Sequence, residues 1–328
     1  IQLAHKQRPE VLGLPVKLFL VDNRSDKVEA ATAVTRLIER DKVHAIIGSY
    51  GSALSMSGGP IAEAAGIPVL GCSPTNPLVT LGNEYYFRVC FIDPFQGRVM
   101  AQYAVEHLGA KKAAIIQDVA QDYSVGLANF FREAFIELTG DPTSIVAFTS
   151  YQTGDRDFSA QLTYVADANP DVIFIPGYYA DCAILVKQAR DLGLTQPFLG
   201  GDALEAPEFI EIGGEDVEGV AFSTHYSADA PLTPASEEFV RLYEAEYNKP
   251  PNAFAALGYD AYMLMLDAIE RAGVVDPKAI RDALAATKDY EGVTGIITMD
   301  ENGDAVKSAV ILQVREGKFQ FLCVVEPR

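Results

Sequence analysis

At 328 residues, 49% apolar and 22% charged, the chain can fill two domain cores and lacks the composition of a disordered protein. Its net charge of -19 repels phosphate backbones and anionic lipid surfaces, so nucleic acid is not an expected partner. No apolar run approaches the ~20 residues of a membrane-spanning helix, and neither an initiator Met nor a signal peptide opens the chain, so a processed or trimmed soluble chain is expected.

Residues 1–8 read as the end of a helix stopped by Pro9 and Gly13, and residues 16–21 as a strand. A parallel α/β domain normally opens on a strand, so a first strand and its loop are expected ahead of Ile1. Asp26 with Glu29 predicts a capping-box start for a helix whose Ala30, Val34, Leu37 and Ile38 share one face. Residues 45–80 then give an apolar run, a turn of Gly and Ser, a helix-compatible segment closing at Gly66, and a second apolar run leading to Ser73, Pro74 and Thr75. That order is strand, loop, helix, strand.

Residues 85–91 read as a strand broken at Asp93-Pro94. Helices are predicted over 95–108, 124–138, 158–168, 180–192 and 207–212, alternating with strands over 113–117, 144–150, 172–176, 198–200 and 219–224. Repeated βα units mean a parallel sheet with helices on both faces. The last third differs: helices over 234–247, 255–272 and 277–286 are followed by short strands over 293–299, 308–314 and 319–325. The acidic stretch 300–304 lacks the length and closing Glu of the roughly twelve-residue EF-hand loop, which makes it a hairpin turn. Gly317-Lys318 marks a second hairpin. This order predicts two α/β lobes, residues 1–92 plus 226–303 and residues 93–225 plus 304–328, with a cleft between them. The chain is expected to cross near 91–94, 224–227 and 301–307, a three-strand hinge.

In open parallel sheets, ligands bind beyond the carboxyl ends of the strands, where loop amides and helix N-termini favour negative charge. Ser52 and Thr75 stand at two such ends and can donate O–H bonds, which suits capture of a carboxylate without catalysis. The competing reading makes Ser52 a helix cap and Thr75 a turn residue before Pro77. No G-x-S-x-G, catalytic Cys with a His signature or full dinucleotide fingerprint is present, so no catalytic residue, cofactor or enzymatic activity is expected. The four cysteines (Cys72, Cys90, Cys182, Cys323) show no CxxC and the four histidines are scattered, so neither a metal site nor a disulfide scaffold is expected.

The order of small motifs resembles the periplasmic substrate-binding proteins of amino-acid ABC transporters, the leucine/isoleucine/valine-binding type with the type I fold. It is carried by IIGSYGSALS at 46–55, AGIPVLGCSPTNP at 65–77, DYSVGLA at 122–128, DFSAQL at 157–162, GYYADCAILVKQAR at 177–190, FLGGDA at 198–203 and TMDENGDA at 298–305. Each is weak alone, and their shared order over nearly the whole chain is specific.

The resemblance implies a free amino acid, aliphatic or branched-chain, clamped between the lobes and delivered to a membrane permease. By matching motifs, Ser52, Ser73 and Thr75 would hold the α-carboxylate, with the Ser73 carbonyl and Thr75 hydroxyl also reaching the ammonium. Tyr123, Tyr178 and Asp202 would come from the second lobe, Asp202 pairing with the ammonium, and Tyr50 and Phe254 would line the side-chain pocket. Taken without the motifs, Tyr123 and Tyr178 read rather as interface packing and Asp202 as a surface acid or helix cap. A monomer in the periplasm or outside the cell, with a lipid anchor as one option, is the implied setting. A ligand-sensing domain of a receptor or regulator on the same fold is the alternative.

Overall fold

A computed structural model describes residues 1–327. Helix α1 (Gln2–Gln7) leads into a two-stranded hairpin of β1 (Glu10–Val11) and β2 (Leu14–Pro15). Residues 16–21, expected as a strand, carry no ladder among the described residues: Val16 N–H bonds only back to Pro9, and Leu20 is 89% exposed. β-branched and aromatic content alone does not make a strand, which needs a hydrogen-bonded neighbour. Asp26 caps α2 (Lys27–Glu39), its carboxylate accepting from Val28 N and Glu29 N. β3 (Ile46–Ile47), α3 (Ser52–Ala64) and β4 (Val69–Gly71) follow as the strand-loop-helix-strand order predicts. The strand expected over 85–91 is laddered only over β5 (Tyr86–Arg88).

Asp93-Pro94 opens α4 (Asp93–Gln102) rather than separating a strand from a later helix. Proline's missing N–H costs nothing in a first helical turn, where that donor is unpaired anyway. Beyond Gln102 the helix widens into a π turn over Tyr103–His107, with Leu108 N–H reaching the Tyr103 carbonyl. Then come β6 (Ala113–Asp118), α5 (Asp122–Thr139), β7 (Ile145–Tyr151), α6 (Ser159–Ala168), β8 (Val172–Phe174), α7 (Tyr179–Asp191), β9 (Phe198–Gly200), α8 (Pro207–Gly213) and β10 (Ala221–Thr224).

Three capped helices follow: α9 (Pro234–Tyr247) behind Thr233, α10 (Ala253–Ala272) behind Asn252, and α11 (Pro277–Ala285) behind Asp276. Each cap's side-chain oxygen accepts a first-turn N–H, a bond worth ~1 kcal/mol. β11 (Tyr290–Gly292), β12 (Gly295–Met299) and β13 (Ala305–Val306) form a small antiparallel sheet, of which the sequence announced only the middle strand. β14 (Ala309–Arg315) and β15 (Lys318–Val325) close the chain as the expected hairpin.

The chain forms two units, one of residues 1–92 with 225–308, the other of residues 93–224 with those from 309 onward. Residues 304–308, expected with the second unit, belong to the first. There Ala305 and Val306 pair with β12, and Asp304 and Lys307 are buried against first-unit groups.

In the first unit, β3, β4 and β5 make a parallel sheet. Its core is organised around α10, whose Leu257, Leu264 and Met265 cluster with Leu70, Phe87 and Val89 of the sheet side and with Ile280 and Leu284 of α11. Leu257 and Leu264 are fully buried, each removal from water stabilising by roughly 1.5–3 kcal/mol. The second unit is a seven-stranded sheet ordered β15-β14-β10-β9-β8-β6-β7, parallel from β10 to β7 and antiparallel where the last hairpin joins. Phe131 of α5 stacks on Phe174 of β8 with ring centroids 4.0 Å apart.

Candidate functional site

In the first unit Tyr50 lies on the loop after β3 and Ser52 opens α3, Ser73 and Thr75 lie on the loop after β4, and Phe254 is in the first turn of α10. Gly51 is the N-cap of α3 and brings no side-chain cap, so the dipole-positive end of that helix suits an anion. The Tyr86 hydroxyl donates to the Gly48 carbonyl at 3.1 Å and pins this loop. Burial pushes the Tyr86 phenol up, so it remains a donor. Ser52 is 1% exposed, and its Oγ accepts from Asn76 N–H at 3.2 Å, which leaves its own proton to be donated elsewhere. Ser73 Oγ donates to the Tyr50 carbonyl at 3.1 Å. These two bonds tie the loop after β3 to the loop after β4.

The second loop has an anchor that sequence reasoning missed. Arg88 of β5 is fully buried and pairs with Asp304, Nε to Oδ1 at 2.6 Å. Its Nη1 donates to the carbonyls of Pro74 and Asn76, both at 2.7 Å, and its Nη2 to Thr80 Oγ1 at 2.8 Å. Thr80 in turn donates to Asp304 at 2.7 Å. Thr75, 1% exposed, therefore sits between two carbonyls held by one guanidinium, so its own position is fixed at the backbone. Gly303, at φ +80°, lets the Asp304 hairpin approach β5: a Cβ there would lie 2.7 Å from the Tyr86 carbonyl oxygen. Tyr50 and Phe254 meet edge-on with centroids 4.9 Å apart, an aromatic pair suited to an apolar side chain.

In the second unit, Asp202 follows β9 as the first residue of a short 3-10 turn and is 3% exposed. The Tyr123 hydroxyl, from the first turn of α5, donates to Asp202 Oδ1 at 2.9 Å. Burial, then the charges of Asp202 and Asp93, push the Tyr123 phenol well above its usual range, so it stays a donor. Tyr178 stands at the N-cap position of α7, without a side-chain cap bond, and lies 5.4 Å from Tyr123, ring to ring. Gly201 has no room for a side chain: a Cβ would sit 2.4 Å from Tyr123 Oη and 2.7 Å from Leu127 Cδ2. Gln96 holds the Asp202 backbone, its Oε1 accepting the Asp202 N–H at 2.8 Å.

Thus Ser52, Ser73 and Thr75 come together in one unit, with Tyr50 and Phe254 paired beside each other in the same unit, and Tyr123, Tyr178 and Asp202 come together in the other. The first group offers hydroxyls and a helix N-terminus, and the second offers carboxylate and phenol. Among the described residues no three His, Cys, Asp or Glu side chains gather closely enough to hold a metal ion. Arg88 and Gln96 had a sequence signal, since each is a polar residue inside an otherwise apolar or helical run, but not one that names a partner.

The chain belongs to the family described as periplasmic binding protein, which matches residues 3–318, and its fold is the type I fold of that class. It is similar to the leucine-binding protein LivK of Thermotoga maritima, at 50% identity and a TM-score of 0.96 over 99% of this chain and 92% of that one. LivJ of Streptococcus pneumoniae, a branched-chain amino acid transporter substrate-binding protein solved with isoleucine, matches at 34% identity and a TM-score of 0.92, again over 99% and 92%. The Leu/Ile/Val-binding protein homolog 3 of Brucella melitensis is 30% identical over 90% of this chain and 78% of its own. No helix among the described residues is long and apolar enough to cross a membrane.

Proposed function

We propose that this protein captures a free branched-chain or similar aliphatic amino acid outside the cytoplasm and delivers it to the permease of an ABC transporter, as a monomer and without a chemical step. One observation carries the reading: donors suited to a carboxylate gather in one unit and a buried carboxylate with its phenol donor in the other. Those are the needs of a zwitterion, whose desolvated charges must each be paired. Ser52 and Thr75 hold the carboxylate with the first-turn amides of α3, and Asp202 accepts the ammonium. The Ser73 hydroxyl proton is committed to Tyr50, so Ser73 serves through its backbone. Tyr50 and Phe254 receive the side chain, and Tyr178 packs beside Tyr123. The LivJ relative solved with isoleucine supports the ligand class.

A thermal-shift screen of the common amino acids tests this. The preferred one of leucine, isoleucine and valine, at a hundredfold over its Kd, should stabilise by ~2.7 kcal/mol, and at that same concentration the others should stabilise less, by binding differences of ~1–3 kcal/mol per methylene. In calorimetry, Asp202→Ala should weaken the preferred ligand by at least ~2 kcal/mol. No shift with any aliphatic amino acid would overturn the reading.

A further inference from the structure

Gln96 lies on α4 with no exposed surface, and its amide joins three elements of the second unit. Its Oε1 accepts from Asp202 N–H at 2.8 Å and from Ser223 Oγ at 3.0 Å, and its Nε2 donates to Asp93 Oδ1 at 2.9 Å. A backbone N–H only donates, so the Asp202 contact fixes which end of the amide faces it, and the carboxylate of Asp93 suits the other end. Neither a glutamate nor an apolar residue reproduces both ends: the first sets a carboxylate against Asp93, the second leaves Asp202 N–H buried without its acceptor.

The second observation is the narrowness of the place. A Cβ on Gly201 would come within 2.9 Å of Gln96 Oε1 as well as 2.4 Å of Tyr123 Oη. Residue Asp202 is therefore held twice, at its N–H by Gln96 and at its carboxylate by Tyr123. Neither holder alone sets the direction of the carboxylate, since Tyr123 leaves the main chain free to turn and Gln96 leaves the side chain free.

We propose that Gln96 is the positioning residue for the ammonium-binding carboxylate, acting through the main chain of Asp202 and tuned by Asp93 and Ser223. The proposal rests on the reading of Asp202 as partner of the ligand ammonium. It gives Gln96 a role in discriminating amino acids from the corresponding acids without an amino group.

The test compares Kd values for leucine and for 4-methylpentanoate, which keeps the carboxylate and side chain and lacks the ammonium, by calorimetry on the full chain. Gln96→Met should lower the preference for leucine by about tenfold, the equivalent of one lost buried hydrogen bond with its orphaned donor, while 4-methylpentanoate binding changes by less than about threefold. Equal weakening of both ligands, the result of general damage, overturns the proposal. Asp202→Asn is the control: if it abolishes the preference and Gln96→Met does not, Gln96 has no positioning role although Asp202 does its work. If Asp202→Asn leaves the preference intact, the reading of Asp202 fails and the inference with it. Should Gln96→Met not fold, Ser223→Ala, which removes one donor from Oε1, decides through a smaller loss of preference, about two- to fivefold, and an unchanged preference overturns the proposal.

Discussion

Arg88 and Asp304 pair at 2.6 Å although they stand 216 positions apart in the sequence, and the same guanidinium holds both carbonyls flanking Thr75. Asp304→Ala leaves a fully buried charge without its counter-ion, and breaking such a pair costs about 3–5 kcal/mol. Urea unfolding should show that loss, and ligand affinity should fall with it because residues 74–76 lose their anchor. A wild-type unfolding midpoint in the variant would reject the assignment.

The hydroxyls of Ser52 and Thr75 are predicted to act on ligand, that of Ser52 in addition to its bond from Asn76 N–H. Ser52→Ala and Thr75→Val should each weaken amino-acid binding by ~0.5–3 kcal/mol, the range for hydrogen bonds to a charged group; Thr75→Val should do so at nearly unchanged melting temperature, whereas Ser52→Ala, which also takes the acceptor from Asn76 N–H, should lower stability by about 1 kcal/mol as well. Titration curves matching the wild type for both would return Ser52 and Thr75 to purely local roles.

Gly201→Ala tests the crowding at Asp202. The added methyl, 2.4 Å from Tyr123 Oη and 2.7 Å from Leu127 Cδ2, must displace the phenol, with an overpacking cost of about 1–3 kcal/mol. Calorimetry and a thermal melt should record weaker binding and lower stability together; retention of both would show that the loop relaxes at no cost.

Lys307 supplies a pH dependence. It is buried beside Asp260 and Thr294, its ammonium also reaching the Val89 carbonyl and lying near Cys90. Burial, opposed by the Asp260 charge, pushes its amine down to about 8, against ~10.4 in an unfolded chain. Between those values the unfolded chain holds more protons than the folded one, so this group's contribution to stability rises with pH across the window. The gain is complete above the unfolded value and lost as pH falls through about 8. Wild type minus Lys307→Met, from chemical unfolding at pH 7.5 and pH 10, should grow by on the order of 2–3 kcal/mol; a flat difference would refute it.

Most of the βα alternation was legible because helix caps and apolar runs are local signals. Asp26, Thr233, Asn252 and Asp276 mark helix starts where they cap them. Residues 16–21 misled because strand chemistry was present without a ladder partner, which no local pattern reports. β11 and β13 escaped notice because strands as short as Ala305–Val306 owe their existence to a neighbour rather than to their own residues. Of the candidate residues, Ser52 and Thr75 could be chosen by chemical type and place, and Ser73, Tyr123, Tyr178, Asp202, Tyr50 and Phe254 only by the matching motifs. What positions them could not: Arg88 finds Asp304, and Gln96 finds Asp202 and Ser223, across spans that only the tertiary fold closes.

The distance along the chain from Arg88 to Asp304 also sets an order of events during synthesis. A nascent polypeptide carries the loop at residues 73–77 early, but that loop has no carboxylate anchor until Asp304 has emerged from the ribosome. The sheet of the other unit is likewise incomplete until β14 arrives to pair with β10. The first unit is therefore complete only once residue 308 has emerged and the second only once the hairpin of β14 and β15 has followed, so the growing chain keeps unfinished sheet edges open to chaperone binding until then.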